Sequence, residues 1–304
     1  MLETLPPETA IAVGNRPDAF VRAAPEATVI LNWGGTRPLL EQVFQMTPRL
    51  RWVHSRSAGL EDTIFPALAE SDVTVTNARG IFSEALGEFV IGAIFFFAKD
   101  LRRMVRSQMA GIWDQFDTTT VSGQTVGIVG YGDIGRAAAS RAKALGMRVL
   151  ALRRHPEQSS GDSLIDEVMP TSRRKDLLAR SDYVVITAPL TAETRGLIGA
   201  DELAVMKPTG VLINVGRGPV VDEPALIQTL ESGRIRGAAL DVFEREPLPA
   251  GHPFYRLENV LLSPHCADHT PNWIDQAMLF FIENYQRFHK GEPLRNVVNK
   301  RLGY

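Results

Sequence analysis

Cysteine is almost absent from this chain of 304 residues, which contains only Cys266. One cysteine can form neither an internal disulfide nor a cysteine cluster for a metal, so we predict no metal site and a reducing compartment. An excess of basic residues is also lacking, because 33 Lys and Arg stand against 35 Asp and Glu and give a net charge of −2. That balance argues against a nucleic-acid partner.

Long hydrophobic runs are lacking as well. The most apolar run, Phe89 to Ala98, has ten residues, well short of the ~20 that cross a bilayer. It is better interpreted as a buried helix. The first ten residues do not show the basic and then apolar pattern of a signal peptide. We therefore predict a cytoplasmic protein with no membrane partner.

Short apolar runs alternate with longer amphipathic runs along the whole chain. Strands are predicted at residues 28–33, 50–55, 73–77, 125–130, 147–152, 183–189, 210–216, 235–243 and 259–264. From residue 124 onward the strands are continuously apolar, as expected where helices cover both faces of a parallel sheet. This pattern predicts an α/β fold with a doubly wound parallel sheet of the Rossmann type. One long helix is predicted from about Ser83 to Met109.

A glycine-rich turn follows the strand at 125–130 and opens a helix. The spacing G-x-G-x-x-G in that context is typical of dinucleotide binding, because the helix N-terminus offers free N–H groups to a pyrophosphate. A tight strand–helix turn without a ligand, or a methyltransferase that uses S-adenosylmethionine, could show similar glycines. The predicted cofactor-binding residues of this turn are Gly130, Tyr131, Gly132, Asp133, Ile134 and Gly135.

The next strand ends at Arg153 and Arg154, where an NAD-binding protein usually has an acidic residue for the ribose hydroxyl. Two guanidinium groups suit a 2′-phosphate instead. The sequence therefore favours NADP as the cofactor, with NAD as the alternative. The competing interpretation is that both arginines are solvated loop residues.

Three polar residues follow predicted buried strands: Arg217, Glu246 and His265. The carboxyl ends of parallel strands border the ligand crevice of such folds. An arginine there can clamp a carboxylate and polarise a carbonyl, and a histidine can donate a proton near neutral pH. A carboxylate bonded to the imidazole would raise its pKa. We predict these three residues as the catalytic set, although Glu246 and His265 could singly be ordinary loop residues.

The chain resembles the D-isomer-specific 2-hydroxyacid dehydrogenases over nearly its whole length, and strongly from about Val73. The motifs that carry the resemblance are VGIVGYGDIG, TAPLTAETRGLI, MKPTGVLINVGRGPVVDE, GAALDVFEREPLP and NVLLSPHCA. It implies hydride transfer between NADP(H) and a small 2-oxoacid or D-2-hydroxyacid, of the glyoxylate or hydroxypyruvate kind. It also implies a homodimer, with a dinucleotide-binding domain at 99–269 and a flavodoxin-like substrate domain at 1–98 and 270–304.

The resemblance also implies roles for single residues. Arg217, Glu246 and His265 match the family's catalytic residues, and Asp241 would bond the nicotinamide carboxamide. The backbone N–H groups of Ser57, Ala58 and Gly59, together with Arg217, would bind the substrate carboxylate. Further residues beside the cofactor would be Ala188, Pro189, Thr194 and Val215.

Some features leave alternatives open. The family often has a glycine shortly after the catalytic histidine, where this chain has Asp268 and His269. Trp33 and Arg56 could line the substrate pocket, or could be a core tryptophan and a solvated arginine. Trp113 could reach a partner subunit or pack locally. A dinucleotide-sensing binding protein resembling a corepressor is the alternative function, and a formate-type dehydrogenase is disfavoured because that branch pairs its histidine with glutamine.

Overall fold

The computed structural model describes residues 1–303, and the chain divides into two compact units. One unit is Met1–Phe82 with Thr270–Tyr304, and the other is Ser83–His269. The first boundary therefore falls at residue 82, before the helix that the sequence prediction assigned to the substrate domain. That helix packs on the helix after the glycine-rich turn. A Cβ added at Gly87 would lie 3.1 Å from the backbone carbon of Ala137, which shows how closely the two helices approach.

The larger unit contains a seven-stranded sheet in which every neighbouring pair is parallel. Its strands are β4 (Thr125–Val129), β5 (Arg148–Leu152), β6 (Glu167–Met169), β7 (Tyr183–Ile186), β8 (Val211–Asn214), β9 (Gly237–Leu240) and β10 (Val260–Leu262). The strand order is β10-β9-β8-β7-β4-β5-β6. Successive strands are added on one side of β4 as far as β6 and on its other side from β7 onward, so the strand order reverses between β4 and β7. Doubly wound sheets have their ligand crevice at this position. The predicted fold class is confirmed.

The larger unit also contains α-helices. They are α3 (Ser83–Ala98), α4 (Leu101–Ala110), α5 (Asp133–Ala144), α6 (Arg174–Arg180), α7 (Ala200–Ala204) and α8 (Glu223–Glu231). The central strands are buried along their length, apart from Thr125 at the start of β4, because they are mainly apolar on both faces. The single helix predicted over 83–109 was wrong, since the chain breaks at Asp100, which adopts a left-handed backbone with φ of 49°.

The smaller unit has its own parallel sheet, with strand order β1-β2-β3. Its elements are β1 (Val29–Asn32), α1 (Arg37–Gln45), β2 (Trp52–Ser55), α2 (Pro66–Glu70), β3 (Thr74–Asn77) and α9 (Trp273–Lys290). The C-terminal helix belongs to this unit because its aromatic face packs on β2. The Trp52 and Phe281 rings stack with their centroids 5.4 Å apart. Among residues 1–303, no helix is both long enough and apolar enough to cross a membrane.

Candidate active site

The glycine-rich turn is shaped by close backbone contacts. Gly130 has a φ of 95°, and a Cβ added there would lie 2.6 Å from the backbone nitrogen of Ala188. A Cβ at Gly135 would lie 2.9 Å from the Gly130 carbonyl oxygen, so the helix can approach the strand only without a side chain. A Cβ at Gly132 would meet no protein atom within 4 Å. The middle glycine therefore faces open space, where a ligand can approach the backbone.

The start of α5 fits a pyrophosphate. The residue before it, Gly132, provides no side-chain cap, so the first N–H groups of the helix remain available. Tyr131 is buried and its hydroxyl donates to Asp162 at 3.0 Å. Burial, together with that carboxylate, raises the pKa of Tyr131 to about 12. Asp162 also pairs with Arg136, so a carboxylate that the sequence did not suggest fixes the back of the turn.

The loop after β7 supplies the opposite wall of the turn. Ala188 is buried beside Gly130, and Pro189 is exposed. The hydroxyl of Thr194 donates to the Pro189 carbonyl at 2.6 Å and accepts from the Thr191 N–H at 2.8 Å. The Thr194 hydroxyl therefore stabilises its own loop through these two hydrogen bonds. Its contact with the cofactor phosphates stays a prediction.

Arg153 and Arg154 are both half-buried at the end of β5, but they contact different partners. Arg153 donates to Gln158 at 2.9 Å and to the Ser159 hydroxyl. Arg154 pairs with Glu193, whose side chain is 72% exposed. Neither arginine is a fully solvated loop residue. An anion would compete with weak neutral acceptors at Arg153 and with an exposed carboxylate at Arg154.

His265 and Glu246 form a direct pair. The distance from His265 Nδ1 to Glu246 Oε2 is 2.5 Å, and the other carboxylate oxygen accepts the Phe243 N–H at 2.9 Å. The side chains are 43% and 34% exposed. An ionised carboxylate only accepts hydrogen bonds, so Nδ1 carries a proton and Nε2 is left for a substrate. The prediction that these residues meet agrees with this geometry.

The interaction between His265 and Glu246 changes the pKa of both side chains. The hydrogen bond to Glu246 is the main influence that raises the pKa of His265, and the negative charges of Glu246 and Asp241 raise it further. Desolvation and the positive charge of Arg217 partly oppose this rise. For Glu246, desolvation opposes ionisation. The hydrogen bonds from His265 and Phe243, with the charges of His265 and Arg217, outweigh it and leave the pKa of Glu246 below its usual range. The imidazole is therefore biased towards its protonated form.

Arg217 lies three residues after the end of β8, on a turn that the Asn214 side chain stabilises. The Asn214 side chain donates to the Arg217 carbonyl at 3.1 Å and accepts the Gly216 N–H at 3.1 Å. Arg217 Nη1 donates to the Gly216 carbonyl at 2.8 Å. Next in the chain, Gly218 packs on the backbone of the loop that leads to Glu246. The positive charge of Arg217 helps to lower the pKa of Glu246 and partly opposes the rise in the pKa of His265.

Asp241 is buried and holds the turn that carries His265. One oxygen, Oδ1, accepts from the Ser263 hydroxyl at 2.6 Å and from the N–H groups of Cys266 and Ala267 at 3.0 and 3.1 Å. These bonds hold His265 with a left-handed backbone of φ 53°. The sequence did not suggest this role. All three hydrogen bonds involve Oδ1, and Asp241 Oδ2 has no hydrogen-bond partner among residues 1–303. Oδ2 is therefore available for the predicted hydrogen bond to the nicotinamide carboxamide. Val215 is buried at the end of β8.

The loop predicted to bind the substrate carboxylate lies in the smaller unit, after β2. The carbonyl of Ala58 accepts from the Asn77 side chain at 2.7 Å, and the carbonyl of Ser57 accepts from the Ala78 N–H at 3.3 Å. The Ser57 N–H donates to the Ser55 hydroxyl oxygen at 3.3 Å, a long hydrogen bond that a substrate carboxylate would have to share or replace. The first two bonds use the carbonyls of Ser57 and Ala58, so these carbonyls face the protein. Ser57 is exposed, and Ala58 and Gly59 are half-buried.

Comparison with known proteins identifies the family. The family model described as D-isomer specific 2-hydroxyacid dehydrogenase, NAD binding domain, matches residues 91–267. The chain belongs to the D-isomer-specific 2-hydroxyacid dehydrogenase family. The protein is therefore an NAD(P)-dependent enzyme that interconverts 2-oxoacids and D-2-hydroxyacids. The dinucleotide-sensing binding protein and the methyltransferase are not favoured.

Individual members of the family cover most of the chain. A glyoxylate reductase from Korarchaeum cryptofilum is 35% identical over 88% of this chain and 81% of that protein. Glyoxylate/hydroxypyruvate reductase B from Serratia proteamaculans is 38% identical over 94% of this chain and 88% of that protein. A D-isomer specific 2-hydroxyacid dehydrogenase from Xanthobacter autotrophicus, solved with NADPH and MES, superposes with a TM-score of 0.80. It is 33% identical and covers 97% of this chain and 98% of that one.

Proposed function

We propose that the protein reduces a small 2-oxoacid such as glyoxylate or hydroxypyruvate with NADPH. The observation that carries the proposal is the bond between His265 and Glu246, because it joins a histidine and a carboxylate from two different strand-end loops. Relatives named as glyoxylate and hydroxypyruvate reductases support the substrate class.

The proposed catalytic roles are supported by the geometry of the larger unit and, for the substrate carboxylate, by the loop after β2 in the smaller unit. Bound NADPH would supply the hydride. His265 would donate a proton from Nε2 to the substrate carbonyl oxygen, since Nδ1 is engaged with Glu246. Glu246 would hold the ring in orientation and keep it protonated. Arg217 would hydrogen-bond the carbonyl oxygen, where negative charge develops. The N–H groups of Ser57, Ala58 and Gly59 would bind the substrate carboxylate.

The cofactor would lie along the residues after β4, β5 and β7. Gly132 and the start of α5 would face the pyrophosphate, since a Cβ there meets nothing within 4 Å. Arg153 and Arg154 would bind the 2′-phosphate, the latter by exchanging its exposed partner Glu193 for the phosphate. Asp241 Oδ2 would accept from the nicotinamide carboxamide. The NADPH complex of the Xanthobacter relative supports this preference.

The domain roles and the assembly are part of the same proposal. The smaller unit would bind the substrate carboxylate and the larger unit the dinucleotide. A homodimer would form through α4, which exposes Met104, Val105 and Met109, together with Trp113 just after it, 90% exposed. Light scattering should give twice the monomer mass of 33.5 kDa, and Met109→Lys with Trp113→Ser should reduce it to one copy.

The direct test of function is NADPH oxidation with a panel of 2-oxoacids. We expect turnover with glyoxylate or hydroxypyruvate, and a lower Michaelis constant for NADPH than for NADH. His265→Ala provides the control, because it should lower turnover by about 10²–10⁴-fold. Absence of NADPH oxidation with every 2-oxoacid of the panel would refute the proposal.

A further inference from the structure

Three side chains of the smaller unit, Trp33, Arg56 and Trp273, form a cluster that the proposed catalytic mechanism does not use. We refer to it as the Arg56 cluster. The guanidinium carbon of Arg56 lies 5.5 Å from the Trp33 ring centroid and 5.2 Å from the Trp273 ring centroid. Indole faces attract cations, so two rings hold this guanidinium in place. Arg56 is half-buried, and this desolvation lowers the pKa of its guanidinium.

The Arg56 cluster lies at the carboxyl edge of the smaller sheet. Trp33 directly follows β1 and Arg56 directly follows β2, and these neighbouring strands are parallel. The Arg56 N–H donates to the Asn32 carbonyl at 3.1 Å, which ties the two strand ends together. Gly34 packs against the guanidinium, because a Cβ added there would lie 3.7 Å from Nη2. The cluster is therefore built around the guanidinium, one residue before the Ser57 loop.

The guanidinium of Arg56 has no anionic partner in the part of the chain that the structure describes. No hydrogen bond from its side chain and no carboxylate within ion-pair distance is present among residues 1–303. Arg153 and Arg154 by contrast each have an acceptor. A guanidinium offers five donors in a planar fork that matches a carboxylate. A partly desolvated fork without an acceptor favours an anion that comes from outside the chain.

We propose that the Arg56 cluster binds a second carboxylate of the substrate, so that Arg56 gives the enzyme a preference for 2-oxo dicarboxylic acids. The inference rests on the proposed function, in which the N–H groups of Ser57, Ala58 and Gly59 bind the carboxylate next to the reacting carbonyl. Because Arg56 is adjacent to this loop in the chain, it serves the other end of a short substrate. Arg56 is then a specificity-determining residue and takes no part in hydride or proton transfer.

The test compares substrates that differ only at the far end. 2-Oxoglutarate has a carboxylate where 2-oxovalerate has a methyl group, and oxaloacetate and 2-oxobutyrate form a second such pair. The ratio of kcat/KM within a pair cancels the fraction of folded enzyme. We expect a ratio of about 10–100 in favour of at least one dicarboxylate, as for one or two charge-assisted hydrogen bonds. Arg56→Gln should reduce this ratio to about 1.

Arg51→Gln is the matched control. Arg51 lies just before β2, at the opposite end of the strand, and its guanidinium carbon is 5.1 Å from the Phe288 ring centroid. Removing a charge from that aromatic contact should leave the substrate ratio unchanged. A ratio near 1 in the unaltered enzyme, a ratio that Arg56→Gln leaves unchanged, or an equal loss in Arg51→Gln would each overturn the inference.

A second readout separates this inference from the proposed function. Trp33 and Trp273 are two of the four tryptophans, so an anion at Arg56 should change the intrinsic fluorescence. With NADP present, 2-oxoglutarate should change the emission at lower concentration than 2-oxovalerate, and Arg56→Gln should abolish the difference. Turnover of glyoxylate without any dicarboxylate preference would contradict the inference alone. No turnover with any 2-oxoacid would contradict the proposed function, and the inference with it.

Discussion

Two alanine substitutions in the same turn should have opposite consequences, because the glycines they replace meet different surroundings. At Gly130 an added Cβ would lie 2.6 Å from both the nitrogen and the Cα of Ala188, and φ is 95°. A left-handed backbone costs an L residue about 1–2 kcal/mol. Overpacking against a fixed backbone costs about 1–3 kcal/mol more. Gly130→Ala should therefore lower the free energy of unfolding by about 2–5 kcal/mol.

Gly132→Ala is the matched control for stability. Its added Cβ meets nothing within 4 Å and its φ is −107°, so neither cost applies. The methyl group would instead occupy the space assigned to the pyrophosphate. This variant should keep its melting temperature and lose affinity for NADPH.

The assay is thermal unfolding without cofactor, followed by titration with NADPH. For a unit of this size about 1 kcal/mol corresponds to roughly 2–4 °C. Gly130→Ala should therefore melt roughly 4–20 °C below the unaltered protein. A normal melting temperature for Gly130→Ala would refute the packing argument. Undiminished NADPH affinity in Gly132→Ala would refute the assignment of that space to a ligand.

Two further variants, one single and one double, test the binding of substrate and cofactor. Arg217→Ala should lower turnover by about 10²–10³-fold, since it removes one preorganised donor to the carbonyl oxygen. A steady-state rate within a few-fold of that of the unaltered enzyme would mean that another group polarises the substrate. Replacing Arg153 with Asp and Arg154 with Ser should weaken NADPH binding by about 1–3 kcal/mol and should spare NADH. Equal Michaelis constants for the two cofactors in the unaltered enzyme would contradict the role given to both arginines.

The sequence predicted the larger unit well because its signals are local. Strands β4, β7, β8 and β9 are continuously apolar, and each lies within its predicted range. Weak or short signals gave no prediction. Strand β6 at Glu167–Met169 is short and half-buried, and α1 and α7 were not predicted either. The helix break at Asp100 has no glycine or proline to mark it, so tertiary packing and not local sequence sets it.

The candidate site, like the fold, was only partly predictable from the sequence. The positions of Arg217, Glu246 and His265 after predicted strands made them candidates, because parallel strands bring their carboxyl ends to one edge. The structure does bring His265 and Glu246 together, while the catalytic roles stay a prediction. Partners from distant positions could not be predicted from spacing. Asp162 behind the glycine-rich turn is one example. The exposed Glu244 is another, since it lies 3.5 Å from Arg195 in a loose ion pair.

The pH dependence of 2-oxoacid reduction tests the proposed His265–Glu246 pair most directly. Reduction needs the protonated imidazole, so the rate falls as the pH rises through the pKa of His265. The hydrogen bond to Glu246 is the largest of the influences that raise this pKa. Glu246→Gln removes that carboxylate, so the alkaline limb of kcat/KM should move to lower pH. Glu244→Gln, two residues away, should leave the limb in place. An unshifted limb in Glu246→Gln, or a shift in Glu244→Gln alone, would contradict the account.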